Sequence, residues 1–408
     1  MTLADILKTH DSLPLLALRM LRLKRRVVRL LMDGERTILE LGRITEFSIP
    51  TVTKIMGELM EAGVAHECGK LDTSGGRRPV VYALNPDCAF LLGVDVKRDS
   101  VNLALLDMKG QTVAEQMGLP FTLADDIDSL SQLCDLINQF VDREPLWRER
   151  LLGACVVFPG RIDSERGINH TFYTFDGTPL SRLIEDRIGV PTRIDNDSRA
   201  MLAAEQAARP DRPIRNGVFL NISWGFGISM ICGGQLYYGQ NGFSGEYGHS
   251  PILDNEILCE CGKKGCIQTE LSGQTLVRLF RRRMEEGAVS VLAGRLRPEQ
   301  IGMQDIVQAA VREGDVLAIE TVGHIGHTMG RYLSLLVNVF NPDTVIIGGD
   351  VAVAGTYLEG PIRSSLHLYS IPLLWQHLDL RVAALGERGA VVGACHILGD
   401  ALFPDENL

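Results

Sequence analysis

The chain has 408 residues, of which 45% are hydrophobic and 23% are charged, and its net charge at pH 7 is −10. These values are typical of a folded soluble protein, and the length predicts two or three domains. The sequence has no run of eighteen apolar residues and does not start with a basic segment and an apolar core. We therefore expect neither a membrane span nor a signal peptide.

Cysteine content and charge distribution bear on location and partners. Nine cysteines in a chain of this length fit a reducing cytoplasm better than a disulfide framework, which predicts a cytoplasmic protein. Residues 1–86 hold 13 Lys and Arg against 10 Asp and Glu, a net charge of +3, whereas the remainder has a net charge of −13. A basic head on an acidic body predicts that only the head contacts a polyanion.

Residues 18–33 are predicted to form the first helix. Apolar residues at helical spacing would form its buried face: Met20, Leu23, Val27, Leu30 and Leu31. Another face carries four arginines at the same spacing: Arg22, Arg25, Arg26 and Arg29. Such a stripe lies either in solvent or along phosphates, and the sequence leaves both interpretations open.

A helix-turn-helix follows the first helix. Thr37 and Glu40 have the spacing of a capping box, so a short helix is predicted to run from there to about Arg43. Ser48 can cap a second, longer helix that tolerates Pro50 in its first turn. The second helix of such a motif enters the major groove by its N-terminal residues. The predicted DNA contacts on it are Ser48, Thr51, Thr53 and Lys54.

A β-hairpin is predicted directly after this motif. Residues 64–71 and 79–84 are strand-like, and a glycine-rich tip with Arg77 and Arg78 joins them. Hairpin and helices together predict a winged helix in residues 1–86, whose two tip arginines contact DNA phosphates or the minor groove of a double-stranded operator. The alternative is a protein-interaction domain of the same shape.

The remainder of the chain alternates strands with helices. Strands are predicted at 91–96, 101–108, 151–158, 218–223, 227–232 and 344–347. Helices are predicted at 128–142, 198–208, 273–286, 304–313 and 315–340. This alternation indicates an α/β body.

One segment of the body has the spacing of a metal site, His-x9-Cys-x-Cys-x4-Cys. Its four candidate ligands are His249, Cys259, Cys261 and Cys266. One imidazole and three thiolates complete a tetrahedral shell for Zn²⁺ and leave no open position, so the predicted zinc is structural, one per chain. The alternative is a group of buried free thiols beside an unrelated histidine.

The residues around this cluster resemble the ROK family (repressors, open reading frames and sugar kinases). That family pairs a Gly-x-Gly strand turn with a later Gly-x-x-Gly-His. This chain has Gly225-Phe226-Gly227 and then Gly245 to His249, followed by the zinc loop. The resemblance covers essentially the whole chain.

The resemblance implies a fold: an N-terminal winged helix-turn-helix, then a two-lobed, actin-like sugar-kinase body in residues 87–408. One lobe would comprise residues 87–195 with a C-terminal helix at 387–400. The other would comprise residues 196–386, with the zinc loop.

It also implies a sugar site. The matching positions are Asn196, Asp197, Glu246, His249 and Gln268. Asp197 is the position of the base in the kinases, and Gln268 stands where the family has a glutamate. Carboxylates and amides around a pocket hold a vicinal diol by paired hydrogen bonds. The alternative is a purely structural Asn-Asp turn and loop cap.

Kinase activity is not expected. The family's first phosphate loop, Asp-x-Gly-Gly-Thr, corresponds to residues 95–99, where Lys97, Arg98 and Asp99 replace both glycines and the threonine. Side chains there obstruct the close approach of backbone N–H groups to phosphate. Trp224 and Phe226 add bulk to the second loop.

The resulting hypothesis is a repressor of carbohydrate genes that is not an enzyme. As in repressors of this family that answer to xylose, N-acetylglucosamine or glucose, a homodimer or dimer of dimers would bind an operator under control of a sugar or sugar phosphate. Two alternatives remain: control by a phosphotransferase protein, and a sugar kinase with an added DNA-binding head.

Overall fold

The structure is a computed structural model that describes Leu3 and residues 14–70, 78–174 and 177–404. The chain divides into two compact units. One runs up to Asn196 and resumes at Val391, and the other is Asp197–Ala390. Each unit contains its own five-stranded sheet. Among the helices of the described residues, none is both long and apolar enough to cross a membrane.

Between residues 14 and 70, the head has three helices: α1 (Leu15–Asp33), α2 (Ile38–Thr45) and α3 (Ile49–Glu61). Thr37 caps α2, and reciprocal hydrogen bonds between Thr37 and Glu40 complete the predicted capping box. Ser48 caps α3, and Pro50 lies in its first turn, where its missing N–H leaves no hydrogen bond broken. The predicted helix-turn-helix is therefore confirmed.

The wing is a small antiparallel sheet of β1 (Arg36–Thr37), β2 (Ala65–Lys70) and β3 (Val80–Leu84), in the order β1-β3-β2. Strand β3 pairs with both neighbours, so the hairpin is anchored to the start of α2 through β1. The predicted tip residue Arg77 lies outside the described residues. Arg78, where the described residues resume, is exposed.

The buried face of α1 differs from the predicted face by part of a turn. Its buried residues are Leu21, Leu23, Val27, Val28 and Leu31. Met20 and Leu30, which were predicted to be buried, are half-buried. The adjacent apolar pairs at 20–21, 27–28 and 30–31 left it ambiguous which residue of each pair is buried. The helix packs against both α2 and β3, and this packing decided it.

Two arginines of the basic stripe contact protein groups. Arg26 donates to the carbonyl oxygen of Ile44 at 3.1 Å, and Arg29 forms an ion pair with Asp400 at 2.7 Å. Both contacts lie at the surface, so the phosphate contact of the stripe stays a prediction. Arg22 is exposed.

The first unit's large sheet has the order β10-β7-β4-β5-β6. The pairs β10-β7 and β7-β4 are parallel, and the pairs β4-β5 and β5-β6 are antiparallel. After the wing, the elements of this unit in chain order are β4 (Phe90–Val96), β5 (Ser100–Asp107), β6 (Thr112–Pro120), α4 (Ile127–Val141), α5 (Pro145–Arg150), β7 (Leu151–Phe158), β8 (Ile162–Asp163), β9 (Ile168–Asn169), α6 (Leu180–Ile188) and β10 (Thr192–Asn196). Strands β8 and β9 pair with each other in a separate sheet.

The last helix, α14 (Gly389–Leu402), returns to this unit and packs against its sheet. Gly93 in β4 allows the contact, because a Cβ there would collide with the carbonyl oxygen of Val391. The thiol of Cys395 reaches the carbonyl oxygen of Leu91 at 3.5 Å. The C-terminal helix predicted at 387–400 is therefore present, two residues further along the chain.

The second unit's sheet has the order β13-β12-β11-β14-β15. Its elements are α7 (Asp197–Ala207), β11 (Gly217–Ile222), β12 (Phe226–Cys232), β13 (Gln235–Leu236), α8 (Gln268–Leu271), α9 (Gly273–Glu285), α10 (Met303–Arg312), α11 (Val316–Phe340), β14 (Thr344–Gly348), α12 (Thr356–Tyr369), α13 (Pro372–Trp375) and β15 (Asp379–Val382). Gly326 and Gly330 bring α11 against α12, where side chains at either glycine would collide.

Candidate metal centre, effector residues and nucleic-acid interface

The four predicted zinc ligands converge. The ligand atoms of His249, Cys259, Cys261 and Cys266 all lie within 4.8 Å of one another. His249 Nδ1 is 3.5 Å from Cys259 Sγ, and the sulfurs of Cys261 and Cys266 are 3.6 Å apart. Zn–S and Zn–N bonds of about 2.3 and 2.0 Å at tetrahedral angles give S···S and N···S edges of about 3.8 and 3.5 Å. The group therefore fits a tetrahedral metal ion.

Tight turns bring the thiols together. Gly262 and Gly265 both have positive φ, 84° and 73°, a conformation that side chains rarely adopt. A Cβ at Gly265 would also collide with the carbonyl oxygen of Leu253. Both glycines turn the chain between Cys261 and Cys266.

The thiols of the cluster differ in acidity. Burial raises the pKa of the Cys261 thiol, but hydrogen bonds from the Lys263 N–H and the neighbouring thiols outweigh it, so its pKa is lowered. Burial and the hydrogen bonds of the other two thiols raise the pKa of Cys266 to about 12. Negative charge on one thiolate disfavours deprotonation of the next, because the sulfurs lie so close together. A divalent cation would relieve this repulsion.

His249 has two distinct faces. Its Nδ1 points to the thiols, while its Nε2 lies 3.6 Å from Glu246 Oε2. Both residues belong to a single 3-10 turn, Glu246–His249, which starts from Gly245 at φ 93°. A Nδ1-bound metal would leave the Nε2–H facing a carboxylate, which is the usual arrangement for a metal-binding histidine.

Gln268, predicted as a sugar contact, is directed towards the metal centre. The Gln268 Nε2 atom lies 3.0 Å from Cys259 Sγ and 3.2 Å from Glu260 Oε1, and Gln268 is only 9% exposed. The sequence did not indicate this contact, nor that Glu260 takes part in it. Its predicted role as a sugar contact stays a prediction.

Asn196 and Asp197 are held in place by their own units. Asn196 ends β10 and donates to the carbonyl oxygen of Gly160 at 3.1 Å. Asp197 begins α7, accepts the N–H of Ser198 at 2.7 Å and accepts Asn221 Nδ2 at 3.2 Å. Asn221 was missed from sequence, because only the pairing of β11 with its neighbours brings it beside α7.

The predicted DNA contacts occupy the start of α3. Ser48, Thr53 and Lys54 are exposed and Thr51 is half-buried. The hydroxyls of Ser48 and Thr51 are 2.8 Å apart, and Thr53 donates to the carbonyl oxygen of Ile49. These hydroxyls are thus engaged in holding the first turn, whereas Lys54 presents a charge at the surface.

The turn that corresponds to the family's first phosphate loop is closed by the protein itself. The backbone carbonyl oxygen of Arg98 accepts a hydrogen bond from the N–H of Leu123 at 2.9 Å. That of Asp99 accepts one from the N–H of Phe121 at 3.2 Å. Trp224 in the second loop is 39% exposed, so its bulk lies at the surface of that turn. Each feature differs from a glycine turn open to phosphate.

The ROK family profile matches residues 91–401. The chain belongs to the ROK family. The DNA-binding transcriptional repressor Mlc of Escherichia coli is 28% identical over 374 residues, which cover 91% of this chain and 90% of that protein. The xylose repressor of Caldicellulosiruptor bescii is 26% identical over 90% of this chain and 92% of its own.

Solved ROK structures show the same fold. A crystal structure of a ROK family transcriptional regulator, described as a homologue of E. coli Mlc, matches with a TM-score of 0.78 and 26% identity over 94% of this chain and 97% of its own. A ROK glucokinase from Streptomyces griseus, solved with glucose and AMPPNP, matches with a TM-score of 0.67 and 24% identity over 76% of this chain and 99% of its own. The predicted fold class is confirmed.

Proposed function

We propose that this protein is a sugar-responsive DNA-binding transcriptional repressor. One observation supports it above the others: the glucokinase aligns over 99% of its length yet spans only 76% of this chain, whereas the regulator spans 94%. The ROK family profile begins at residue 91, so the winged helix-turn-helix lies outside it. We divide the chain accordingly into a DNA-binding head, residues 1–86, and an effector-binding body, residues 87–408, acting in the cytoplasm where operator DNA lies.

The proposed body is not an enzyme. Phosphoryl transfer needs backbone donors around the ATP phosphates, and the turn at residues 97–99 presents side chains instead. Asp197, the position of the kinase base, is hydrogen-bonded to Ser198 and Asn221. A carboxylate held in this way can accept a hydrogen bond from a sugar hydroxyl without removing the hydroxyl proton.

The proposed effector is a sugar or a sugar phosphate. Asn196, Asp197, Glu246 and His249 supply the acceptors and donors that suit vicinal hydroxyls. His249 joins this set to the zinc centre, because its Nδ1 faces the thiols and its Nε2 faces Glu246. Zinc, proposed as the one structural metal, would therefore hold the turn that presents Glu246.

The proposed repressor is a dimer, since two half-sites are read by two heads. Six exposed apolar side chains near the ends of α11, α12 and α13 form a patch suited to a second copy: Leu335, Val339, Leu368, Tyr369, Ile371 and Leu373. Asn338 joins the three helices by hydrogen bonds to Tyr369 O and Ile371 N, at 3.5 and 3.3 Å. We refer to these six residues as the apolar patch.

Fluorescence anisotropy tests the proposal. Labelled DNA from upstream of the protein's own gene would be titrated at two salt concentrations, and sugars and sugar phosphates would then be added. We expect salt-sensitive binding that one compound shifts, and loss of that shift in Asn196→Ala with DNA affinity retained. Binding that only a cell extract shifts would favour a phosphotransferase partner. ATP-dependent phosphorylation of a hexose would favour the kinase.

A further inference from the structure

The side chain of Gln268 ends between two acceptors. Its Nε2 lies 3.0 Å from Cys259 Sγ and 3.2 Å from Glu260 Oε1. A primary amide nitrogen carries two hydrogens, so one can serve the sulfur and the other the carboxylate. Both neighbours accept rather than donate, which identifies the nitrogen, not the oxygen, as the atom that faces them.

The position of this amide is fixed by packing. Gln268 begins α8 only two residues after the ligand Cys266, and Cys259, which it contacts, is also buried. On its other side, a Cβ at Gly248 would lie 3.6 Å from the Gln268 Cβ, in ordinary contact. The stem of Gln268 thus passes beside the residue that precedes the ligand His249.

Charge explains why an amide suits this position. Three thiolates around Zn²⁺ leave a net charge of −1, and Glu260 adds another negative charge beside Cys259. The glutamate that the ROK resemblance implies here would place further lone pairs against a thiolate. An amide donates to it instead, and donors to ligand sulfurs stabilise a metal site.

We propose that Gln268 is a positioning residue of the metal centre: it donates an N–H···S hydrogen bond to the Cys259 thiolate and thereby strengthens metal retention. The inference rests on the proposed zinc centre. It also implies that the Gln268 nitrogen is occupied by the metal centre, so that hydroxyl recognition at the effector site depends on the other predicted residues.

Zinc affinity tests this inference in the full-length protein. Wild type, Gln268→Glu, Gln268→Met and a control, Gln274→Glu, would each compete for Zn²⁺ with a chromophoric chelator. Gln274 is an exposed glutamine in the next helix, α9. We expect Gln268→Glu to weaken zinc binding roughly 10- to 100-fold, the range for outer-shell partners of a metal ligand. Gln268→Met removes the donor without adding charge, so its zinc affinity should lie between those of Gln268→Glu and the control.

Cobalt substitution provides a readout that general destabilisation does not move. A hydrogen bond lowers the energy of the sulfur lone pairs, so its loss in Gln268→Met should shift the thiolate-to-Co²⁺ charge-transfer band to longer wavelength. Unchanged zinc affinity and an unchanged band in both variants would overturn the role of Gln268 alone. Wild-type protein that binds no Zn²⁺ would overturn the metal centre itself.

Discussion

Arg29, in the first helix of the head, forms an ion pair with Asp400 in the last helix, with Nη1 and Oδ1 2.7 Å apart. Nearby, Lys109 donates its ammonium group to the carbonyl oxygens of Leu31 and Met32 at 2.6 and 3.2 Å. Lys109 thus binds the C-terminal end of α1, where unpaired carbonyls and the helix dipole favour a cation. These two contacts tie the head to the rest of the first unit.

These two ties should differ in strength. Lys109 is partly buried, and hydrogen bonds from a charged group contribute about 1.5–3 kcal/mol, so we expect Lys109→Met to destabilise the head by an amount in that range. The Asp400 side chain is 65% exposed, so Asp400→Asn should cost less than about 1 kcal/mol. Hydrogen exchange of the last turn of α1 measures both. Equal protection in the two variants would contradict this ranking.

The protein should become less stable to unfolding as the pH drops through the range in which the His396 imidazole takes up a proton. Burial lowers the pKa of this imidazole from 6.5, Arg29 lowers it further, and only Asp400 raises it. With a lower pKa in the folded state, the unfolded state takes up the proton first, so stability is lost as pH falls below about 6.5. His396→Gln should flatten the change in unfolding free energy between about pH 7.5 and 5.5. Exposed His170→Gln is the control, and an equal slope in both variants would exclude His396 as the cause.

Removal of one zinc ligand should remove the metal. Cys261→Ser leaves three ligands of a closed tetrahedral site, so we expect zinc content to fall below one per chain and the melting temperature to drop. Cys232→Ser, at a half-buried cysteine that is not a predicted ligand, is the matched control and should change neither value. Full zinc content in Cys261→Ser would show that the assignment is wrong.

Loss of the tip arginines of the wing should reduce both DNA affinity and its salt dependence. Each phosphate contact contributes a slope of about −0.9 to the dependence of log affinity on log salt concentration, so Arg77→Ala with Arg78→Ala should flatten it by roughly 1 to 2. The control is Lys263→Ala, which removes an exposed positive charge that is not part of residues 1–86 and should leave the slope unchanged. An unchanged slope in the double variant would mean that the wing does not contact DNA.

A charge in the apolar patch should dissociate the dimer. Val339 is 88% exposed within the patch, and Val289, outside it, is 87% exposed. Val339→Lys would bury an unpaired ammonium group in the proposed interface, whereas the matched control Val289→Lys would leave it in water. Light scattering after size-exclusion chromatography should give a monomer for the first variant and a dimer for the second. A dimer in both would place the interface elsewhere.

Local signals allowed much of the fold to be predicted. The caps at Thr37 and Ser48 depend on residues at most four positions apart, and both appear where expected. Elements whose stability comes from distant partners were missed. Strand β6 is largely exposed and, among the described strands, pairs with β5 alone. Helix α12 contains Pro361 yet continues because it packs against α11.

The sequence by itself determined the family, the head and the four candidate metal ligands, because each depends on residue types at short, fixed spacing. Only the tertiary structure decided where individual side chains point. It directed Gln268 to Cys259, placed Asn221 beside Asp197, and paired Arg29 with a carboxylate 371 positions along the chain. Such contacts depend on which elements pack together, and that is set by burial of the whole core rather than by any local pattern.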